Sequence, residues 1–257
     1  MNRLVIVGTA MCILALMVVP VFGDFSDGLV LYLPFDEGEG DIAADISGNG
    51  HDGKIDKPEW VDGRFGKALK FLDAESGTFV TVESTAKLNV NEMTFTAWIN
   101  AEHWNGVRQI AGKSVHGGCG GRTQYGLFSE NNAFTLRFEA EAGRVDVIGP
   151  LPDTKVWVHV AATNDGKEAK LFLDGEEVAK GPMTGKLNAN DDPFRVGQDC
   201  ERTNYIFAGL IDEVRLWNRA LTQDEINAFK DLGASDALSV MPRGKLVDIW
   251  GHIKTGR

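Results

Sequence analysis

Cysteine is scarce in this sequence. Three cysteines in 257 residues are too few for a disulfide-dense scaffold or a cysteine-rich zinc module. Positive charge is also short, with 26 Lys and Arg against 37 Asp and Glu and a net charge of −11. Such a balance argues against nucleic acid or an anionic membrane as a partner, whose phosphates attract positive charge. It suits neutral ligands, cations or plain solubility. After residue 23 no apolar run approaches the roughly 20 residues that cross a bilayer. Neither a Gly-x-Ser-x-Gly elbow nor EF-hand spacing is present.

What is there begins with MNRLVIVGTAMCILALMVVPVFG. One charge at Arg3 precedes an apolar run from Leu4 to Val19, Pro20 breaks it, and Val21-Phe22-Gly23 follows. This is the pattern of a secretory signal peptide over residues 1–23. The expected location is secreted, extracellular or at the cell surface, with no membrane insertion after cleavage. An uncleaved anchor is the alternative. Cys12 has no Leu three residues before it, which argues against a lipid anchor. Cys119 in SVHGGCGGRTQ and Cys200 in GQDCERTN lie in Gly-rich or polar loops. An oxidising compartment predicts a Cys119–Cys200 disulfide. The alternatives are free thiols, or metal ligands with His116, a set that lacks a fourth ligand for zinc.

From residue 24 to 232, short apolar runs recur with turn chemistry between them, and no linker or low-complexity block divides them. That predicts an all-β antiparallel sandwich. LVLYLPF (29–35) reads as a buried strand ended by Pro34, and ALKFL, FVTV and MTFTAWIN follow. In MTFTAWIN, Phe95, Ala97 and Ile99 alternate with Thr94, Thr96 and Trp98. VWVHVAAT (156–163) places Val156, Val158 and Val160 on one face and Trp157 and His159 on the other. Asn164-Asp165-Gly166 and Asp174-Gly175 suit tight hairpins, so residues 158–180 read as a three-stranded meander. One short C-terminal helix closes the domain. Thr222 and Glu225 form a capping box, Ile226, Phe229 and Leu232 face inward, and Gly233 ends it. Residues 233–257 read as a tail of unknown role, in which Leu246, Ile249, Trp250 and Ile253 fit a helix face or a strand.

Five segments occur in order: YLPFDEGEGDIAADISGNGHDG, GRFGKALKF, MTFTAWIN, WVHVAATNDGKEAKLFLDGEEVA and FAGLIDEVRLWNRALTQDEI. Together they resemble the LamG-like jelly-roll domains of the concanavalin A-like lectin/glucanase superfold. The resemblance runs from about Leu29 to Lys230. It implies a two-sheet antiparallel jelly-roll sandwich over residues 24–232, with ligands met at the concave sheet or its bordering loops. It does not settle function, because the superfold carries lectins, adhesion modules, glycoside hydrolases and polysaccharide lyases. Its hydrolases use Glu-x-Asp-x-x-Glu on one strand. Here Asp212 and Glu213 are adjacent in IDEVRLWN, and on a regular strand they point to opposite faces. RFEAEAG puts Glu139 and Glu141 on one side without a third acid. The expectation is a non-catalytic binding or adhesion module for extracellular glycan or glycoprotein. A hydrolase or lyase, or a structural surface protein, is the alternative.

Members of the superfold often hold a structural calcium. By resemblance, Asp212 on the last strand is assigned to calcium, with Asp45 and Asn49 of the DISGNG loop. Calcium takes six to eight oxygens in irregular geometry. The residues themselves leave a second reading, in which Asp45 and Asn49 form turns, Asp212 bonds a neighbouring loop, and Arg215 lies off its face. For a sugar ligand, aromatic platforms with amides and charges match ring C–H faces and hydroxyl edges. Two loops supply these: one holds Trp104, Arg122 and Tyr125, the other Asp199, Arg202 and Asn204. A Cys119–Cys200 bond would set the loops side by side as a ligand rim. Otherwise Trp104 packs on the sheet edge and the arginines serve solubility.

Overall fold

Residues 23–57, 59–72, 78–114, 123–198 and 205–241 are described by a computed structural model. The chain opens with β1 (Leu29–Leu33), β2 (Ile42–Ala43), β3 (Gly53–Asp56), β4 (Trp60–Asp62), β5 (Lys67–Phe71) and β6 (Phe79–Val82). A 3-10 turn at Ala86–Leu88 leads to β7 (Met93–Ala101), β8 (Arg108–Ser114), β9 (Thr123–Glu130), β10 (Ala133–Ala140) and β11 (Gly143–Gly149). Then come β12 (Val158–Asn164), β13 (Glu168–Leu173), β14 (Glu176–Pro182), β15 (Phe194–Val196) and β16 (Gly209–Trp217). Helices α1 (Gln223–Phe229) and α2 (Ala234–Val240) follow.

The strands form two antiparallel sheets. The first has the order β14-β13-β12-β7-β16-β5-β4, with β1 also paired to β16. The second has the order β11-β10-β9-β8-β15-β6-β3-β2. Alternation puts Phe95, Ala97 and Ile99 of β7 between the sheets with Phe134, Leu136 and Phe138 of β10. Removing each large apolar side chain from water contributes on the order of 1.5–3 kcal/mol. The meander is borne out over β12, β13 and β14. Asp174 and Gly175 both take positive φ, 51° and 88°, as a type I′ hairpin requires. Val156 is a correction: it is exposed, and the strand begins at Val158.

The C-terminal region departs from expectation. The capping box is present, Glu225 N–H donating to Thr222 Oγ1 and Thr222 N–H to Glu225 Oε2, and a second helix opens the region that was expected to be a tail of unknown role. Ala237 and Met241 are buried with Phe25, Tyr32, Trp217 and Phe229 in a second cluster on the outer face of the first sheet. Leu246, Ile249, Trp250 and Ile253 lie outside the described residues.

A bulge in β16 makes this outer layer possible. Asp212 faces Trp98 and Arg215 faces Thr96, so three steps on β16 match two on β7. The extra residue is Glu213, at φ 56°. It restores parity, so Asp212 and Arg215 share a face, against the expected alternation. Tyr32 OH donates to Glu213 Oε2 at 2.5 Å, and Arg215 Nη2 donates to the same oxygen at 2.5 Å. Arg215 also reaches Tyr32 OH and the carbonyls of Phe229 and Leu232, while Trp98 Nε1 reaches Lys230 O. These carbonyls lie at and just beyond the end of α1, where intrahelical donors run out, and Phe229 O also accepts from the Leu232 amide. Burial pushes the Tyr32 hydroxyl well above its ordinary value, so it stays a donor.

Removing Glu213 leaves a buried guanidinium without its counter-charge. Glu213→Ala is expected to cost about 3–5 kcal/mol, and Tyr32→Phe about 1–3 kcal/mol. Urea unfolding monitored by tryptophan fluorescence measures both. A cost below about 1 kcal/mol for Glu213→Ala would remove the network from its organising role.

Candidate binding face

The three assigned calcium ligands do not form one site. Asp45 Oδ1 accepts from the Tyr32 and Ser47 amides, and its Oδ2 from the His51 amide and Ser47 hydroxyl. Asn49 turns its Nδ2 to the carbonyls of Leu29 and Val30, and its Oδ1 accepts from Lys87. Asp212 Oδ2 accepts from the Arg64 and Phe65 amides at 2.8 and 3.0 Å. Gly63 permits that approach, since a Cβ there would lie 2.7 Å from Asp212 Oδ2. Most of these oxygens already face donors, which a cation cannot replace. Among the described residues, no group of three or more His, Cys, Asp or Glu is arranged to hold a metal. The set does not fit calcium, and its members are framework groups tying loops to the first and last strands.

Asp212 keeps one enclosed oxygen, Oδ1, without a partner. Burial pushes its carboxyl up to about 8, helped by Glu213 and Asp36 and opposed by the Phe65 and Arg64 amides.

Of the expected ligand rim, Trp104 and Tyr125 lie among the described residues. Arg122, Asp199, Arg202, Asn204, Cys119 and Cys200 lie outside the described residues. Tyr125 is a correction: alternation along β9 turns it into the core, where its hydroxyl donates to Leu88 O. Trp104 is half-buried against Phe134 and Phe207, with its indole N–H on Pro152 O. That is the edge-packing alternative rather than an open platform. The flanks of the two loops also start from opposite ends of β8. Ser114 pairs with Thr123 at one end, whereas Gln198 and Ile206 bridge beside Gln109 at the other.

The fold instead offers a sheet face. Helices α1 and α2 cover part of the outer face of the first sheet. On the outer face of the second, one cross-strand row runs Lys54, Thr81, Arg195, Gly112, Gly126, Arg137, Asp146. Its inward-facing chain neighbours, such as Phe194, Val196, Leu136 and Phe138, are core residues, so the row faces outward. Arg137 stacks on Phe128 at 4.7 Å and pairs with Glu130 and Asp146. Between Arg195 and Arg137 the row has only glycine, and the Gln109 amide lies over both positions, where a Cβ on Gly112 would sit 2.8 Å from Nε2. The glycine positions are filled by the buried Gln109 amide, and the groups of the row that reach solvent are Lys54, Thr81, Arg195, Arg137 and Asp146. Sequence reasoning passed over these residues because it sought loops. The signal was present in FTLRFEA and PFRV, where Thr135, Arg137 and Arg195 interrupt strictly apolar alternation.

A family model described as the concanavalin A-like lectin/glucanases superfamily matches residues 74–227. Pappalysin-1 of Mus musculus and of Homo sapiens are each 31% identical over 103 residues, 38% of this chain and 6% of theirs. The chain therefore spans only a small part of these curated relatives. Among solved structures, the binding domain of Paraclostridial Mosquitocidal Protein 1 superposes with TM-score 0.64 at 19% identity, covering 79% of this chain and 52% of that one. Domain 4 of AbnA, a GH43 extracellular arabinanase from Geobacillus stearothermophilus in complex with arabinotriose, gives 0.61 at 20% identity, covering 78% and 97%. The binding domain of Botulinum Neurotoxin DC in complex with SialylT gives 0.61 at 11% identity, covering 79% and 51%. At these identities the likeness shows the fold.

Asp212 yields a pH test. A carboxyl raised to about 8 in the fold contributes fully below its ordinary value near 3.9, and loses that contribution as pH rises toward 8. Asp212→Asn keeps an oxygen for the Arg64 and Phe65 amides and removes the titration. Thermal melts from pH 4 to pH 9 should show the native chain falling relative to the variant across that window. Excess calcium or a chelator should shift neither midpoint. A calcium shift present in the native chain and lost in the variant would reinstate Asp212 as a metal ligand.

Proposed function

The chain belongs to the concanavalin A-like lectin/glucanases superfamily, and from that premise we propose that it is a glycan-binding module working outside the cell. The observation that carries the proposal is the outward row of the second sheet. A saccharide presents hydroxyl edges and C–H faces, and it is held by a few placed polar groups on a shaped surface. Thr81 suits hydroxyls as donor or acceptor, and Arg137 and Asp146 suit them as donor and acceptor. The arabinotriose of the arabinanase domain and the SialylT of the neurotoxin domain support a sugar as the ligand class. The leader-like residues 1–23 and the extracellular enzyme among the neighbours support the location. The proposal assigns the face binding and no bond-breaking step.

Affinity electrophoresis of the full chain through gels containing arabinan, xylan, galactan or polygalacturonate tests this. At least one polysaccharide should retard the native chain. Thr81→Ala combined with Arg137→Ala should weaken that retardation about tenfold or more, the worth of one or two polar contacts. Lys180→Gln, on the first sheet, should leave it unchanged. Equal retardation of all three proteins would move the site off this face, and no retardation by any gel would end the glycan reading.

A further inference from the structure

One guanidinium on the second sheet, Arg195, has no partner among the described residues, and from it we infer that the bound glycan is anionic, a carboxylated polysaccharide held at the Lys54–Thr81–Arg195 end of the row. The inference rests on the glycan-binding reading and narrows its ligand class. Every other described arginine is engaged. Arg64 pairs with Asp231 and stacks on Trp98, and Arg108 donates to Ile206 O. Arg137 and Arg144 share Asp146, Arg215 holds Glu213, and Arg219 holds Glu225. Arg195 has no such partner among the described residues, and its Nε is enclosed without a hydrogen bond. In a chain with 37 acids and 26 bases, a half-buried arginine left unpaired is one that the fold holds away from its own carboxylates.

Position explains how it stays free. Its cross-strand neighbours are Thr81 on one side and Gly112 on the other, neither of which carries charge. Beyond Thr81 comes Lys54, exposed and without an ion pair among the described residues. Two strand spacings separate Lys54 from Arg195, about 10 Å. Arg137 lies three spacings to the other side, about 14 Å, with its charge already met by Glu130 and Asp146. The row is therefore cationic at one end and neutralised at the other. Arginine presents a planar fork of donors that matches a carboxylate in a bidentate way, and lysine adds a point charge. A chain of uronic residues offers spaced carboxylates with hydroxyls between them, which Thr81 can meet.

Isothermal titration of the full chain against polygalacturonate, fully methyl-esterified polygalacturonate and neutral arabinan tests the inference. The acid polymer should bind, and the ester, with the same backbone and no charge, should bind at least about tenfold more weakly. Arg195→Gln should weaken the acid polymer by about ten- to a hundredfold. Its melting midpoint should move little, because Arg195 makes no hydrogen bond or ion pair among the described residues. Arg195→Lys should recover part of the affinity, and Lys180→Gln should change nothing. Equal affinity for acid and ester, or an unchanged affinity in Arg195→Gln, overturns the charge inference while the glycan reading stands. Failure of all three polymers to bind overturns both.

Discussion

The buried Tyr32–Glu213–Arg215 network is the constraint on which the rest of the molecule depends. Two charges are withdrawn from water at a position where neither is exposed by more than 1%. That costs several kcal/mol per ion unless geometry restores it. Restoration comes from the phenol, from the ion pair and from helix-end carbonyls that need donors. Each of these sits on a different element: Tyr32 on β1, Glu213 and Arg215 on β16, the carbonyls at the end of α1. The network therefore joins the first strand, the last strand and the helix into one unit. It needs the bulge at Glu213, since a regular strand would send that side chain into the apolar core.

Asymmetry between the sheets follows. The first sheet has helices, Trp217 and Phe229 packed on its outer side, so its central strands are buried on both faces. In the second sheet β10 alternates apolar residues inside with partly exposed polar ones outside, whereas β9 is buried on both faces from Gln124 to Ser129. The Lys54-to-Asp146 row is a product of register, assembled from seven strands that are distant in sequence. Its glycines contribute by what they lack, a Cβ that would meet the Gln109 amide and the neighbouring backbone.

Much of the fold was legible from local patterns, for physical reasons that differ between elements. The Asp174-Gly175 hairpin was readable because few residue pairs accept two positive φ values. The helix start at Thr222 was readable because a capping box satisfies its own amides with residues three apart. Asp212 and Glu213 were misjudged because alternation assumes a regular strand, and the bulge depends on β7 and β1, which lie far off in the chain. Tyr125 was placed on a rim by its loop-like surroundings, whereas its neighbours Gly126 and Leu127 belong to a strand. Helix α2 was overlooked because its short apolar stripe has meaning only against Phe25 and Trp217.

The sequence by itself determined the two-sheet class, the hairpins, the cap and the acidic character that disfavours nucleic acid. All of these rest on interactions within a few residues or on totals over the chain. Only the tertiary structure decided which carboxylates are buried, that Asp45, Asn49 and Asp212 bond the loops and strands around them, and that one arginine stands unpaired among the described residues. Those properties arise from cross-strand neighbours and packing between layers. The energy of a charge depends on what surrounds it in space, and a linear chain does not state what those surroundings are.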